Sequence, residues 1–220
     1  MRPPSLAEQA ADQIRDRIVK GDFRLGEALS ETALAAELGI SKTPVREAFL
    51  LLKTEGLVDI QPQRGTFVFR ISASEAGKLS EFREVLEISA LRLGMAMDAA
   101  GLGQTLAAIA ADMTVALDAN DAASYLELDR LFHQCIIDRC DNHYLSRSYA
   151  VIAFRIQALR YRLAMDPALN ANSLEQHHAL ARLIGQDAGK EAAALMRKHI
   201  AKTADDYENT LSLGIPHELC

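Results

Sequence analysis

The stretch Leu34–Val68, LAAELGISKTPVREAFLLLKTEGLVDIQPQRGTFV, predicts two helices joined by a tight turn and followed by a short β-hairpin. Gly39 ends the first helix, because glycine adopts positive φ without steric cost. Ser41 is a favoured N-cap for the second helix, and Pro44 falls in its first turn, where a missing N–H is tolerated. This order of elements is that of a winged helix-turn-helix, and it makes double-stranded DNA the first partner to consider.

The second helix has a core face and an outward face. Apolar residues recur between Val45 and Leu52 at helical spacing and form the core face. Lys42, Thr43 and Arg46 are therefore left on the outward side near the N-terminus. In helix-turn-helix proteins this part of the second helix enters the major groove.

The hairpin supplies a wing. An apolar run, Leu57–Ile60, is followed by the polar turn Gln61–Gly65 and by a second run, Thr66–Phe69. The tip includes Arg64 and Gly65, and it is small and cationic enough to lie against a groove or a phosphate.

From Ser72 onward the chain is rich in Ala and Leu and lacks strand-like alternation. Ser72–Glu75 reads as a capping box that begins a helix. Apolar residues then recur over six turns and predict one buried stripe. The stripe consists of Leu79, Phe82, Leu86, Ala90, Leu93 and Met97. We expect Gly101 and Gly103 to end this helix.

The remaining chain predicts further helices and, with the first, an antiparallel bundle of about six. These helices are expected at 104–118, 121–140, 143–165, 173–186 and 188–213. A second capping box, Asn172–Glu175, begins the helix at 173. The predicted fold is mainly α, with a winged helix-turn-helix domain at 1–71 and an all-helical effector-binding and dimerisation domain at 72–220.

Four polar residues of the bundle lie where apolar ones are expected. Asp129 and His133 are four residues apart and share an apolar helix face, while His177 and His199 are in phase with apolar neighbours on two later helices. A carboxylate and three imidazoles suit a divalent transition metal such as Zn²⁺, Ni²⁺ or Mn²⁺. The alternative is that each residue makes a separate hydrogen bond in the core.

Composition and charge are compatible with a DNA-binding protein of the cytoplasm. The net charge of −6 arises after residue 70, since residues 1–70 hold ten basic and ten acidic side chains. Salt-dependent phosphate contacts need only a local basic face. Three cysteines without metal-binding spacing indicate a reducing compartment. No secretory signal or uninterrupted apolar run of about 18 residues is present, so no membrane span is expected.

The segment from about Leu6 to Val68 resembles the N-terminal domain of GntR-superfamily transcription regulators. The matching words are IRDRIVKGDFRLGEALSETALAAELGISKTPVREAFLLLKTEGLV and QRGTFV. Leu25-Gly26 departs from the usual Pro-Gly. The resemblance implies that Arg46 reads a base edge, with Gly65 in the wing. It implies that Thr32, Ser41, Lys42 and Thr43 position the protein on phosphates or bases. For Arg46, the alternative is a surface ion pair on a solvated helix.

The second half resembles the FCD domain of the FadR branch of that superfamily. The matching segments are LDRLFHQCII, EQHHALARLI and LMRKHI. Gln186-Asp187-Ala188 departs slightly from the usual Gly-Asp turn. The resemblance implies a metal held by Asp129, His133, His177 and His199. It also implies a small organic acid beside the metal, bound by Arg83. The alternative for Arg83 is a surface ion pair with Glu87.

These expectations combine into a homodimeric, ligand-responsive transcription regulator that binds an imperfect palindrome. We expect a repressor, because most members of this branch repress; activation stays open. Two rivals remain. One is a regulator that senses the metal ion itself, and the other is a metalloenzyme fused to a DNA-binding module, against which stands the absence of an HExxH or nucleophile motif.

Overall fold

The computed structural model describes residues 3–163 and 167–212. Its helices and strands follow the order α1 (Leu6–Lys20), β1 (Ala28–Leu29), α2 (Glu31–Leu38), α3 (Lys42–Thr54), β2 (Val58–Gln61), β3 (Gly65–Val68), α4 (Ala73–Asp118), α5 (Ala122–Asp138), α6 (His143–Leu163), α7 (Pro167–Gly185) and α8 (Gly189–Ser212). The predicted fold class, mainly helical with a small N-terminal sheet, is confirmed.

These elements form two compact units. The N-terminal unit comprises the chain up to Ser72 together with Ala150–Arg162 of α6. The helical unit comprises Ala73–Tyr149 together with α7 and α8. The second half of α6 thus clusters with the N-terminal unit, whereas the sequence predicts a single domain over 72–220.

The N-terminal unit is built around the contact of α1 with α3. The Ser5 hydroxyl accepts a hydrogen bond from the backbone N–H of Glu8, whose carboxylate accepts one from Ser5, so a capping box begins α1. Ile14 and Ile18 of α1 are fully buried with Val45 of α3. The strands form an antiparallel sheet in the order β1-β3-β2, and β2 and β3 make the wing.

The turn between α2 and α3 follows the sequence prediction, with one difference. Gly39 adopts a φ of 66° and its N–H closes the end of α2. Ser41 occupies the N-cap position of α3 with extended backbone, but its side chain makes no capping hydrogen bond. The expected cap is therefore correct in position and wrong in its hydrogen bond.

The second half of α6 contributes to the core of the N-terminal unit. Ala158 is fully buried there. Arg155 donates from Nε to the carbonyl oxygen of Gly56 and lies 5.3 Å from the centre of the Phe69 ring. Arg162 donates from Nη2 to a carbonyl oxygen at the end of α1, that of Ile18, at 3.3 Å. These contacts explain why this segment folds with the winged helix.

In the helical unit, the break predicted at Gly101 and Gly103 is present but falls slightly earlier, at Asp98. α4 runs to Asp118, and its one kink lies at Asp98, where φ is −160° and ψ is 81°. The Asp98 carboxylate accepts a hydrogen bond from the N–H of Gly101 at 2.8 Å and so caps the second half of the helix. Gly103 serves packing: a Cβ there would lie 2.4 Å from the backbone of Gly185 in α7.

The buried stripe of α4 also differs from its prediction. Leu86 and Ala90 are buried, whereas Phe82, Leu93 and Met97 are 44%, 42% and 62% exposed. The buried face instead includes Arg83 and Glu87. Assigning every apolar residue to the core therefore misplaced the face, because a charged pair occupies part of it.

Length and composition alone would allow α4 to cross a membrane. The helix nevertheless contributes Leu91, Leu102 and Leu106 to the core of the helical unit, where each is fully buried. It packs against α5, α7 and α8. That core accounts for part of its apolar character, while other apolar residues of α4, such as Val85 and Met97, are exposed.

The later helices match their predicted positions within a few residues, except at the start of α7. That helix begins at Pro167, so the predicted capping box Asn172–Glu175 lies inside it. A Ser/Thr/Asn-x-x-Glu pattern does not begin a helix that is already continuous.

Candidate DNA-binding surface and candidate metal site

The outward surface of α2, α3 and the wing is where the sequence-predicted DNA contacts lie. Every one of these residues is exposed: Thr32, Ser41, Lys42, Thr43, Arg46, Arg64 and Gly65. Because Ser41 makes no capping bond, its hydroxyl adds a donor to this surface. At the tip of the wing, Gly65 has a φ of 107°, a backbone conformation that a side chain would strain.

Arg46 projects from α3 and is held by an acidic residue of α2. Its side chain is 63% exposed, and its Nε donates to Oε2 of Glu31 at 2.7 Å. The surface ion pair that was the alternative to base reading is therefore present. It engages one edge of the guanidinium, so it does not exclude a base contact from the terminal nitrogens.

Three histidines converge inside the helical unit. His133 on α5, His177 on α7 and His199 on α8 are at most 2% exposed, and one nitrogen of each lies within 4.8 Å of the others. Nε2 of His177 is 3.3 Å from Nε2 of His133 and 3.4 Å from Oδ1 of Asp129. The structure thus brings the three predicted histidine ligands together and places Asp129, the fourth predicted ligand, against His177.

The donor set fits a divalent transition metal. Bonds of about 2.1 Å to one ion would place neighbouring ligand atoms about 3–3.4 Å apart. The two distances from His177 Nε2 agree with this spacing, whereas the three histidine nitrogens as a group lie within a wider limit of 4.8 Å. Two imidazole nitrogens facing each other need a proton or a cation between them. Neutral imidazoles with a carboxylate are the ligands that such an ion prefers.

Hydrogen bonds orient two of the rings. Nδ1 of His133 lies 2.6 Å from Oε2 of Glu87, and Nδ1 of His199 lies 2.8 Å from Oε1 of Gln176. If Nδ1 donates to these oxygens, Nε2 of each ring carries the lone pair that a metal requires. Glu87 and Gln176 are therefore candidate positioning residues, which the sequence did not predict. Gln176 directly precedes a selected histidine, and nothing else in its sequence context marks it.

Arg83 lies beside this cluster in a buried ion pair. Its Nε donates to Oε1 of Glu87 at 2.6 Å, and its Nη2 lies 3.2 Å from Nε2 of His133. The hydroxyl of Tyr149 donates to the same Glu87 oxygen at 3.3 Å. The alternative of an Arg83–Glu87 pair is correct in its partners but wrong in its location, since Arg83 is 1% exposed.

The charges of the cluster follow from its burial and its partners. Burial alone would raise the pKa of Glu87, but the adjacent Arg83 and His133 together outweigh burial and hold that pKa well below its usual range. Burial lowers the pKa of His133 despite Glu87, which favours the neutral imidazole that metals bind. For Arg83, burial would lower the pKa, but Glu87 together with Tyr149 and Tyr207 outweighs burial and raises it.

The recognition helix and the wing are exposed, and the same chain carries a helical unit with a buried cluster of ligand-type residues. Together these features define a DNA-binding regulator of the winged-helix class. The chain belongs to the gntR family of bacterial regulatory proteins: residues 6–68 match the model of that family, and residues 78–202 match the FCD domain. Both family resemblances inferred from the sequence are confirmed. The protein is a DNA-binding transcription regulator, not an enzyme.

Relatives of known name agree with this assignment. The chain is 32% identical to the Nta operon transcriptional regulator of Aminobacter aminovorans, over 83% of this chain and 85% of the relative. It is 26% identical to the gluconate operon transcriptional repressor of Bacillus subtilis, over 93% of this chain and 84% of the relative. It is 24% identical to the transcriptional repressor RspR of Escherichia coli, over 82% and 79%.

Solved structures show the same fold. McbR/YncC of E. coli superposes with a TM-score of 0.81 at 20% identity, covering 94% of this chain and 99% of that one. A GntR protein from Rhodococcus sp. RHA1 superposes with a TM-score of 0.78 at 20% identity, covering 92% and 97%.

Proposed function

We propose that this protein is a homodimeric repressor whose operator binding is controlled by a small organic acid, bound beside a divalent metal ion in the helical unit. The observation that carries the proposal is the convergence of His133, His177 and His199 from three helices, with Asp129 against His177. Separate core hydrogen bonds would not require imidazoles from three elements to meet at one point.

On the DNA side, Arg46 is the proposed base reader. The arginine fork suits guanine O6 and N7, and such a contact contributes about 1–3 kcal/mol of discrimination. Thr32, Ser41, Lys42 and Thr43 would hold the protein on phosphates or neighbouring bases, and the wing tip, Arg64-Gly65, would do so from the side. Their common exposure supports this assignment.

On the ligand side, Asp129, His133, His177 and His199 would hold the metal, and a bound ion would supply an electrophilic centre for an anionic effector. Arg83 is the proposed partner of the effector carboxylate, because its guanidinium borders the His133 ring. Glu87 now occupies one edge of that guanidinium. An incoming carboxylate would therefore share Arg83 with Glu87 or take its place.

A dimer is supported by the outer face of α4. Its exposed apolar residues Phe82, Val85, Leu93 and Met97 extend over four turns of one helix. An apolar stripe of this length suits packing against the same stripe of a second copy. A two-fold dimer would present two recognition helices to the two halves of an imperfect palindrome.

Repression is the proposed direction of control, because two relatives are named repressors. For the effector to relieve repression, it must bind more tightly to the arrangement that has lower operator affinity. The metal-sensor alternative keeps the same metal site but makes the ion itself the signal.

One experiment separates these versions. Operator affinity is measured by fluorescence anisotropy for metal-loaded and chelated protein, with and without a panel of small organic acids. An acid that weakens operator binding only in the metal-loaded protein supports the proposal. If chelation alone abolishes operator binding and no acid acts, the metal-sensor function is supported instead.

A further inference from the structure

The ion pair between Glu31 and Arg46 joins the two helices of the DNA-binding motif. Glu31 lies in the first turn of α2, which the Ser30 side chain caps by accepting the N–H of Ala33 at 3.2 Å. A carboxylate is favoured there by the partial positive charge of the helix N-terminus. Its Oε2 accepts the Nε–H of Arg46 at 2.7 Å, across fifteen positions of sequence.

The geometry of the pair leaves the reading edge of Arg46 open to DNA. Glu31 engages Nε, while the two terminal nitrogens carry the remaining four N–H donors of the guanidinium. That terminal pair can face guanine O6 and N7 together. The Arg46 side chain is 63% exposed, so nothing in the paired conformation withdraws it from solvent.

A fixed guanidinium differs from a mobile one in what it selects. A long, unrestrained arginine reaches phosphates and bases alike, and it loses rotamer freedom when it binds either. An arginine that is already held at Nε loses less rotamer freedom when it binds in that single orientation. A carboxylate beside the reader also repels the phosphate backbone, which weakens contacts that are not specific to sequence.

We propose that Glu31 is a positioning residue for base recognition: it holds the Arg46 guanidinium end-on toward the major groove and raises the discrimination between operator and other DNA. The inference rests on the proposed role of Arg46 as the base reader. Two consequences follow from it. Loss of Glu31 lowers discrimination, and it does so without lowering affinity for unrelated DNA.

The test uses the full-length protein and a duplex selected from random-sequence DNA by the wild type. Kd is measured at one fixed salt concentration for the selected duplex, for variants with single G·C pairs replaced, and for a scrambled duplex. Discrimination is the ratio of the Kd for the scrambled duplex to the Kd for the selected duplex. For Glu31→Ala we expect this ratio to fall about 10-fold, which corresponds to the loss of roughly one good base contact. Affinity for the scrambled duplex should stay equal or rise, because an anion facing phosphates has been removed.

Two variants distinguish positioning from a general structural or charge effect. Glu31→Gln retains an oxygen that can accept from Nε, and it should restore most of the discrimination. Glu37→Ala removes an acidic residue from the same helix that pairs with Arg17 at 3.0 Å, away from α3. That control should leave discrimination unchanged. Thermal melts establish that each variant is folded.

The double variant Glu31→Ala with Arg46→Ala shows whether Glu31 acts through Arg46. We expect discrimination no lower than in Arg46→Ala alone. Lower discrimination in the double variant than in Arg46→Ala would overturn the inference. It would also be overturned if Arg46→Ala loses discrimination while Glu31→Ala keeps it. If Arg46→Ala itself retains full discrimination, the assigned reader is wrong and the inference falls with it. In the first two cases the proposed base reader survives.

Discussion

Glu87 accepts a 2.6 Å hydrogen bond from the Nε of Arg83, and both side chains are almost completely excluded from solvent. The second oxygen of the same carboxylate lies 2.6 Å from Nδ1 of His133, a candidate metal ligand. Glu87 therefore connects the proposed effector contact with the proposed metal site. The charge of Arg83 is balanced by Glu87 or by an effector carboxylate that takes the place of Glu87.

Glu87→Ala should lower the free energy of unfolding by about 3–5 kcal/mol, because it leaves a buried guanidinium without its carboxylate. Urea denaturation of chelated protein measures this effect without a metal contribution. The control is Glu127→Ala, which removes the partner of Arg130 in a partly exposed pair and should change stability by less than about 1 kcal/mol. Equal, small effects of the two changes would contradict the buried pair.

His177→Ala should reduce bound metal per protein, because it removes the ring whose Nε2 lies 3.4 Å from Asp129 and 3.3 Å from His133. Metal content after loading and desalting is measured by mass spectrometry. The adjacent His178 is the matched control: it is exposed, and its Nε2 lies 2.9 Å from the hydroxyl of Thr114. His178→Ala should keep full stoichiometry. If both variants keep it, His177 is not a ligand.

Val85→Lys should weaken the proposed dimer, because it places a charge in the middle of the apolar stripe on α4, where Val85 is 62% exposed. Sedimentation equilibrium reports the dissociation constant of the dimer. Val115→Lys makes the same change at a site that is 69% exposed but lies beyond the kink at Asp98, and it should leave the dimer intact. A Val85→Lys protein that dimerises like the wild type would remove this face from the interface.

Arg83→Ala should weaken the response to the effector more than it weakens operator binding without effector. The comparison is the Kd for operator DNA with and without the most stabilising acid from a thermal-shift screen. Since removing Arg83 leaves Glu87 buried without its guanidinium, only variants that melt cooperatively are compared. Equal loss of both properties would assign Arg83 a purely structural role.

The DNA-binding half of this fold could be predicted from sequence because its signals are local. Gly39 and Pro44 each restrict a single turn, and the structure forms α2 and α3 around them. What could not be predicted is the participation of Ala150–Arg162 in that unit. No local pattern records which core a helix segment far along the chain will join.

In the helical unit, helical phase selected Asp129 and the three histidines, and they lie together because each is a polar residue on an otherwise apolar face. The same reasoning failed for Arg83 and Glu87. Oppositely charged residues four positions apart usually belong to a solvated surface, and only the packing of other helices around them shows that this pair is buried.

The position of the break in α4 could not be predicted from its glycines for a related reason. The sequence predicts the break at Gly101 and Gly103, but it falls at Asp98, and Gly103 instead allows α4 to approach the backbone of Gly185 closely. A glycine required for close packing between helices has the same sequence signature as one that ends a helix.

The most direct test of the central claim is the operator Kd of metal-loaded, full-length protein, measured across the acid panel and repeated after chelation. We expect at least one acid to weaken operator binding by 10-fold or more, and chelation or His177→Ala to remove that response. An operator Kd that is the same under all of these conditions would contradict control of DNA binding by the buried histidine cluster.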